Sequence, residues 1–386
     1  MAGPVYNISD PEVRNLWETT LEREVRYRDP LLDPDSGLAG DSPDSLVQQK
    51  DKLGTEGGAF IRTKLRYRLS GRGKAGDEVL KGTEEGYTTA TDDVYVNTLR
   101  HAYKTESPIQ DQWITEDSLV EGRDALATWF AERMSLAAHA HAAGISLVTD
   151  DAFRLHNTVD AINSEYIIRP NGKATADALT SSDTFDLDLV NDASRFVKMV
   201  SPKIRPAMTK WGPRYCVFLA PDQVHSLRES NSEWFATMSF AAQGGRIDDN
   251  GLWTRALGEY QGFLFFKSDF VPPAPNNAGT ALLANTRRAW IGGAQALFMG
   301  FGRGWKVNPA YSLNRFQWAR ESEDYDHQRS IAATTITGIS RPRYTRPGEA
   351  SAREHGVVVI ESYADRGGLS SDIAYRLWTE AGVTVS

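Results

Sequence analysis

Between residues 60 and 103 the chain alternates in a way that few folds can absorb. Ile61, Thr63, Leu65, Tyr67 and Leu69 fall on one side of an extended strand, and Arg62, Lys64, Arg66 and Arg68 on the other. A period of two marks a strand with one wet face. A glycine-rich charged stretch follows, carrying Arg72, Lys74, Asp77 and Glu78, and then come Glu84 and Glu85. A second extended run over 92–103 holds Val94, Tyr95, Val96, Thr98 and Leu99. The pattern predicts a long hairpin with a mobile tip. A two-stranded ribbon is marginal by itself in water. The basic ladder, with acids nearby at Asp92 and Asp93, therefore predicts that the ribbon lies on something else, another copy of the chain being one option.

The rest of the chain can build a body for that ribbon. It has 386 residues and is 40% hydrophobic, enough for one large domain or two or three smaller ones. Cys216 is the single cysteine, which excludes an intrachain disulfide and fits a reducing cytoplasm. It sits in the apolar run 215–219 and reads as a small buried hydrophobe rather than a nucleophile. Residues 11–30 are heavily charged, with no apolar core of a signal peptide, and no apolar run is long enough to span a bilayer. The net charge of -8 argues against tight non-specific DNA binding over the whole surface, while leaving room for local basic patches.

Residues 11–28 predict a helix, with Asp10 as N-cap and Pro11 in its first turn. Dense proline and aspartate over 29–58 predict an extended arm with weak self-packing. The clearest helix spans 116–143, with an apolar stripe of Leu119, Leu126, Trp129, Phe130, Met134 and Ala137, and Gly144 as its stop. Further on come a helix over 188–199, then a buried strand, a proline and a short helix over 214–228. Another helix is expected over 234–242 and a buried strand over 262–267. Gly300, Gly302 and Gly304 read as a turn, 328–344 as a returning strand, and 346–386 as a C-terminal extension with a short strand at 357–360.

Enzyme signals are weak. His139 and His141 stand two apart near a helix end and face different directions, so they do not form a metal site, which needs three or four converging ligands. The glycines around Lys74 lack a phosphate-loop ending, and the later glycines lack the dinucleotide pattern. Carboxylate pairs at Asp92-Asp93, Asp150-Asp151 and Asp248-Asp249 read as solvated loops. Arg341, Arg343 and Arg346 cluster around Tyr344. They, like the ladder, could meet nucleic-acid phosphates, form a solvated basic face, or bridge to an acidic neighbour. The acidic chain as a whole favours a protein–protein role for the ladder. No catalytic residue, cofactor or metal is expected.

The order of parts resembles the major capsid proteins of tailed bacteriophages with the HK97-like fold, closest to the podovirus-type family of N-four-like phages. The resemblance is carried by the segments 64–73 and 76–78, 99–102, 125–133, 218–223 with 227–228, 292–296, and 324–327 leading into 336–339. It implies an α+β fold. Residues 1–58 would be an N-terminal helix and arm, and 59–107 the extended loop laid over a neighbour. Residues 108–210 would be a peripheral domain with a spine helix at 116–143, and 211–305 an axial domain. Residues 306–345 would return to the peripheral domain, and 346–386 lie outside the match. The implied function is a self-assembling icosahedral shell subunit around double-stranded DNA. Its partners would be many copies of itself as hexamers and pentamers, with room for portal, scaffold or decoration proteins. It would be a virion component assembled in the bacterial cytoplasm, with no membrane and no sequence-specific DNA contact. The inter-subunit residues would be Arg62, Lys64, Arg66, Arg68, Arg72, Lys74, Asp77, Glu78, Glu84 and Glu85. The competing reading is a soluble nucleic-acid-binding protein that uses the ladder from Arg62 to Arg68.

Overall fold

The computed structural model describes residues 11–27, 29–33, 36–51, 58–67, 69, 71–105, 118–236, 256–302, 315–323, 327–345, 351–364 and 375–385, the side chains of 11–17 and 27 excepted. The chain opens with helix α1 (Pro11–Tyr27) and the short strands β1 (Ala39–Gly40) and β2 (Val47–Lys50). Strands β3 (Phe60–Arg66), β4 (Thr89–Tyr95) and β5 (Asn97–Thr105) lead to the long helix α2 (Ser118–Ala143). Then follow β6 (Ile167–Ile168), α3 (Leu187–Met199), β7 (Ala207–Thr209), β8 (Gly212–Leu219) and α4 (Pro221–Ser230). The next four strands are β9 (Ala256–Tyr260), β10 (Phe263–Lys267), β11 (Thr286–Gly292) and β12 (Leu297–Phe301). The last part holds β13 (Phe316–Glu323), β14 (Gln328–Ser340), β15 (Arg343–Tyr344), β16 (Arg353–Glu354), β17 (Val357–Tyr363) and α5 (Arg376–Glu380).

Two sheets organise these elements. The first runs β1-β2-β12-β14-β13, with β5 on the free edge of β14. Thr337 pairs with Phe301 on one side and Asn97 on the other, so β14 is the axis of this sheet. The second runs β6-β17-β11-β8-β10-β9, with β7 folded back on β8. Its inner strands are buried on both faces: every residue of β11 is buried, Arg287 and Arg288 included, as are Val357–Ile360 of β17. Strands covered on both sides lose the alternation of half-wet ones.

Helix α2 spans roughly 40 Å at 1.5 Å per residue. Its first half is amphipathic, with Leu119, Leu126, Phe130 and Met134 buried. From Ser135 to Ala143 every residue is buried, because alanines at 137, 138, 140, 142 and 143 let neighbours approach from all sides. Gly144 ends the helix at φ +65, where a side chain would be strained and would also strike Ile162 and Arg341.

Three expectations are corrected. The described residues of 29–51 do not form a weakly packed arm: Leu31, Leu32, Leu38, Leu46 and Val47 are at most 1% exposed, and β2 pairs in parallel with β12. Of the C-terminal extension expected over 346–386, β17 is an integral strand, since it lies between β6 and β11 inside the second sheet. Gly300 and Gly302 do not make a turn. Gly300 is within β12 and Gly302 follows it, and a Cβ there would meet Ile61 at 2.8 Å and Ile336 at 2.3 Å respectively. The expected helices over 11–28, 188–199 and the end of 214–228 and the strand over 262–267 are present within a residue or two, while the strand expected over 328–344 ends at Ser340, with Arg343–Tyr344 a separate strand. The N-cap Asp10, most of the helix expected over 234–242, Gly304, Asp248-Asp249 and Arg346 lie outside the described residues.

Candidate assembly interface

Strands β3 and β4 form the predicted hairpin, in register from Phe60 opposite Tyr95 to Arg66 opposite Thr89. The second run, read as one strand over 92–103, is two. It leaves the hairpin at Tyr95 and enters the first sheet at Asn97, where β5 pairs with β14. The inner face of the hairpin is fastened to the body. Ile61 packs on Gly300, and Thr63 Oγ1 lies 3.3 Å from the Tyr344 hydroxyl. Asn157 holds the backbone of Tyr95 from below. The base of the ribbon is therefore self-supported, which corrects the expectation that the whole ribbon lacks a surface in its own chain.

The outer face carries the ladder. Arg62, Lys64 and Arg66 are exposed, and Arg68 lies outside the described residues. Arg62 meets its cross-strand partner Asp93 with two bonds of 2.7 Å, a geometry that suits the flat guanidinium. The hydrogen bond from Arg62 holds the Asp93 carboxyl below its ordinary value. The Arg66 guanidinium lies 5.1 Å from the centre of the Tyr87 ring. Beyond Arg66, residues 71–88 have no regular structure apart from turns, and all of them are exposed. Lys74 pairs with Glu78 at 3.4 Å, Glu85 accepts from the Gly71 N–H, and Glu84 accepts from the Gly82 N–H. Arg72 and Asp77 are exposed alongside them.

Apolar surface is concentrated here as well. Among the described residues, six of the nine large hydrophobic side chains that face solvent are on this ribbon: Phe60, Leu69, Val79, Leu80, Tyr87 and Tyr95. Val79 is 74% exposed. Scattered single apolar residues are ordinary on a surface, but a cluster marks a contact site. Between the outer end of β3, at Leu65–Gly71, and residues 198–205 runs a trough of about 980 Å³.

The groups weighed as chemical sites are structural. His139 is fully buried. Its Nδ1 accepts from Trp290 Nε1 at 2.9 Å, which places the ring proton on Nε2, 3.0 Å from Ser268 Oγ and 3.4 Å from Asp29 Oδ2. Burial works against the Asp29 carboxylate, yet His139 and the Leu31 N–H bring its pKa below the ordinary value. The network ties residue 29 to α2 and β11. His141 bonds the Arg154 carbonyl at 2.9 Å, and burial pushes its pKa down to about 4. Cys216 is buried in β8, and burial raises its thiol pKa far above the ordinary range. Arg341 and Arg343 are neither a phosphate site nor a solvated face: both pair with the buried Glu354, Arg341 at 2.8 Å and Arg343 at 3.4 Å. Asp92 accepts from the Arg343 N–H, and Asp150 and Asp151 fold their own turn by bonding Ala152 and Arg154. Those pairs are turn and strand anchors rather than solvated loops. Sequence reasoning missed the buried cluster around Glu361, which pairs with Arg288 at 2.9 Å and Arg169 at 2.6 Å, because its three members come from distant segments.

No group of three His, Cys, Asp or Glu side chains able to hold a metal occurs among the described residues. No helix among them is long and apolar enough to cross a membrane. What the arrangement offers is a ribbon with a fastened base, a charged outer face and an apolar-rich exposed end.

Comparison with known proteins identifies the family and the fold. The profile of the family described as phage capsid protein matches residues 14–366. The major capsid protein of Pseudomonas phage KPP25 is 25% identical over 373 residues, covering 90% of this chain and 94% of its own. The capsid of Ralstonia phage GP4 superposes with a TM-score of 0.73 at 21% identity, over 96% of this chain and 100% of that one. The cyanophage Pam1 capsid subunit gives 0.65 at 18% identity, over 88% and 93%. The fold is the α+β, HK97-like fold of phage shells, and the chain belongs to the phage capsid protein family.

Proposed function

We propose that this major capsid protein closes its shell by laying the ribbon 60–95 across an adjoining copy, with Arg62, Lys64, Arg66, Arg68, Arg72, Lys74, Asp77, Glu78, Glu84 and Glu85 at the contact. The role is that of a structural virion component and not of an enzyme. One observation carries the reading: the ribbon is anchored at its base, yet it holds six of the nine exposed large hydrophobics among the described residues. Those side chains gain roughly 25 cal/mol for each Å² of apolar surface they hide. A neighbour in a repeated array supplies that cover. The shell would be built of hexamers and pentamers, with portal, scaffold or decoration proteins as partners. Assembly would take place in the host cytoplasm, where the free Cys216 is at home. DNA would be enclosed without a sequence-specific contact.

The nucleic-acid alternative gains no support. Arg62 is bonded to Asp93 and Arg66 stacks on Tyr87, and the family match is to shell proteins. The test is removal of residues 72–84 with a two-glycine closure. Circular dichroism and sedimentation are expected to show a folded subunit, and electron microscopy no closed shells. Shells of ordinary size from the shortened chain would refute the reading.

A further inference from the structure

The trough at the outer end of β3 has an unusual lining. Four cationic residues of the body line it, Lys198, Lys203, Arg205 and Arg353, with Arg66 at the ribbon's edge, and among the described residues no Asp or Glu does. The chain as a whole carries a net charge of -8. Three of the five are engaged from the side: Arg66 with the Tyr87 ring, Arg205 with Asp44 at 3.3 Å, and Arg353 with the Ser201 carbonyl at 2.7 Å. Lys198 and Lys203 are exposed and have no acidic partner among the described residues. Between the cations lie Leu65 and Tyr67 from the ribbon, Val200 and Pro202 from the loop after α3, and Tyr344 from β15, with Ser201 and His355 beside them. Met199, 77% exposed, stands next to this loop lining in sequence. Gathered like charges repel one another, and an arriving anion relieves that repulsion.

The matching chemistry stands on the exposed tip of the ribbon. Asp77, Glu78, Val79 and Leu80 are consecutive, two acids followed by two apolar residues that are 74% and 60% exposed. They do not line their own chain's trough, although Gly71 at the root of the same tip does. We propose that the trough of one copy receives residues 77–80 of a second copy, the acids meeting Lys198 and Lys203 and the apolar pair entering between Tyr67, Pro202 and Tyr344. The inference rests on the ribbon being an inter-subunit contact and adds the surface on which it lands. Because each copy owns one tip and one trough, the contact is head-to-tail. A head-to-tail contact makes a ring when its rotation closes. The trough also forms part of the ribbon's own underside, so a seated tip would brace the next ribbon in the ring.

The experiment is a charge exchange. Lys198→Glu with Lys203→Glu, and separately Asp77→Lys with Glu78→Lys, are each expected to cut the yield of closed shells about tenfold or more, a drop equivalent to about 1.4 kcal/mol or more in assembly. The two pairs combined in one chain restore opposite charges at every contact and are expected to recover yield to within a few-fold of the parent. A combined variant no better than the worse single pair overturns the proposal. A second readout does not depend on yield. Leu80→Cys with Pro202→Cys is expected to give an intermolecular disulfide ladder on oxidation of assembled shells, since the only native thiol is buried. Absence of the ladder in intact shells overturns it too. If the tip pair blocks assembly while the lysine pair does not, the ribbon contact survives and the trough is the wrong site. If the lysine pair abolishes affinity for double-stranded DNA and leaves assembly intact, the trough is a phosphate surface and the proposal falls.

Discussion

The side-chain amide of Asn157 grips both backbone groups of Tyr95: its Oδ1 accepts the Tyr95 N–H and its Nδ2 donates to the Tyr95 carbonyl, each at 2.9 Å. Asn157 is 5% exposed, and Tyr95 is the last residue of the ribbon before the chain enters the first sheet. The ribbon is thus hinged on a side chain from a distant loop, and that clamp makes one continuous extended run behave as two strands.

Replacing Asn157 by Ala leaves both Tyr95 groups without this partner. Each bond contributes about 1 kcal/mol, and a stranded buried group costs more, so the subunit is expected to lose roughly 1–3 kcal/mol in urea titration. Amide exchange at Tyr95 is expected to accelerate while that in β17 stays slow. Unchanged exchange at Tyr95 would show that the clamp is decorative.

Gly338 closes the same junction from the other side. A Cβ placed on it would sit 1.9 Å from the Tyr95 carbonyl oxygen and 3.0 Å from Asn157 Nδ2. The obstacle is backbone, which cannot rotate out of the way. Gly338→Ala is expected to cost more than Asn157→Ala and to detach β4 from the sheet axis, visible as new proteolysis near 95–98. Gly212→Ala offers no such clash, since nothing lies within 4 Å of its Cβ position, and only its φ of +95 is strained.

Some of this was open to reading from residue order. The ladder at 62–66 showed itself because one face of β3 is wet and the other dry, so the period of two survives. The block 214–228 was legible because an apolar run meets Pro221 and then Gln223, whose side chain accepts from the Ala220 N–H. What failed was non-local. The break after Tyr95 depends on Asn157 and on β14, which lies more than two hundred residues further along. The apolar run at 357–360 did announce a short strand, but nothing near it names β6 and β11 as its neighbours, so it read as part of an extension. Leu31, Leu38 and Leu46 were hidden by the prolines and aspartates around them. The trough is assembled from three separated segments, and only the ribbon wall was visible beforehand.

Acid should weaken the subunit before its carboxylates are neutralised. Burial, with Arg205 nearby, pushes the His355 pKa down to about 4, and burial takes His141 to about 4 as well. In the unfolded chain these rings titrate near 6.5. Between those values the unfolded state binds protons that the folded state refuses, so stability falls as pH drops from about 6.5 to about 4 and then levels for these groups. Asp29, held below 3.8, contributes its loss lower still, while Asp92, raised by burial, works in the opposite sense. His355→Phe is expected to flatten the fall by up to roughly 3 kcal/mol across the interval, measured by urea titration at several pH values. A slope identical to the parent's would mean that His355 is protonated in the folded subunit.

Burial rather than distance should rank the ion pairs. Lys104 and Glu323 approach to 2.5 Å, but both are about half exposed, so Lys104→Ala is expected to change stability by no more than about 1 kcal/mol. Arg341 and Glu354 are 2.8 Å apart with side chains 3% and 0% exposed. Burial takes the Arg341 pKa down to about 10, and Glu354 is the largest opposing influence. The guanidinium also donates to the His141 and Asp160 carbonyls, so it cannot turn outward when its counter-charge is removed. Glu354→Gln keeps the shape and deletes the charge, leaving Arg341 buried and Arg343 short of a partner. That kind of loss costs about 3–5 kcal/mol, a large share of the 5–15 kcal/mol that holds a typical domain folded. The variant is expected to accumulate as insoluble chain at 37 °C, and to refold on cooling with a lowered urea midpoint. A midpoint within error of the parent's would show that Arg341 is satisfied by the two carbonyls alone.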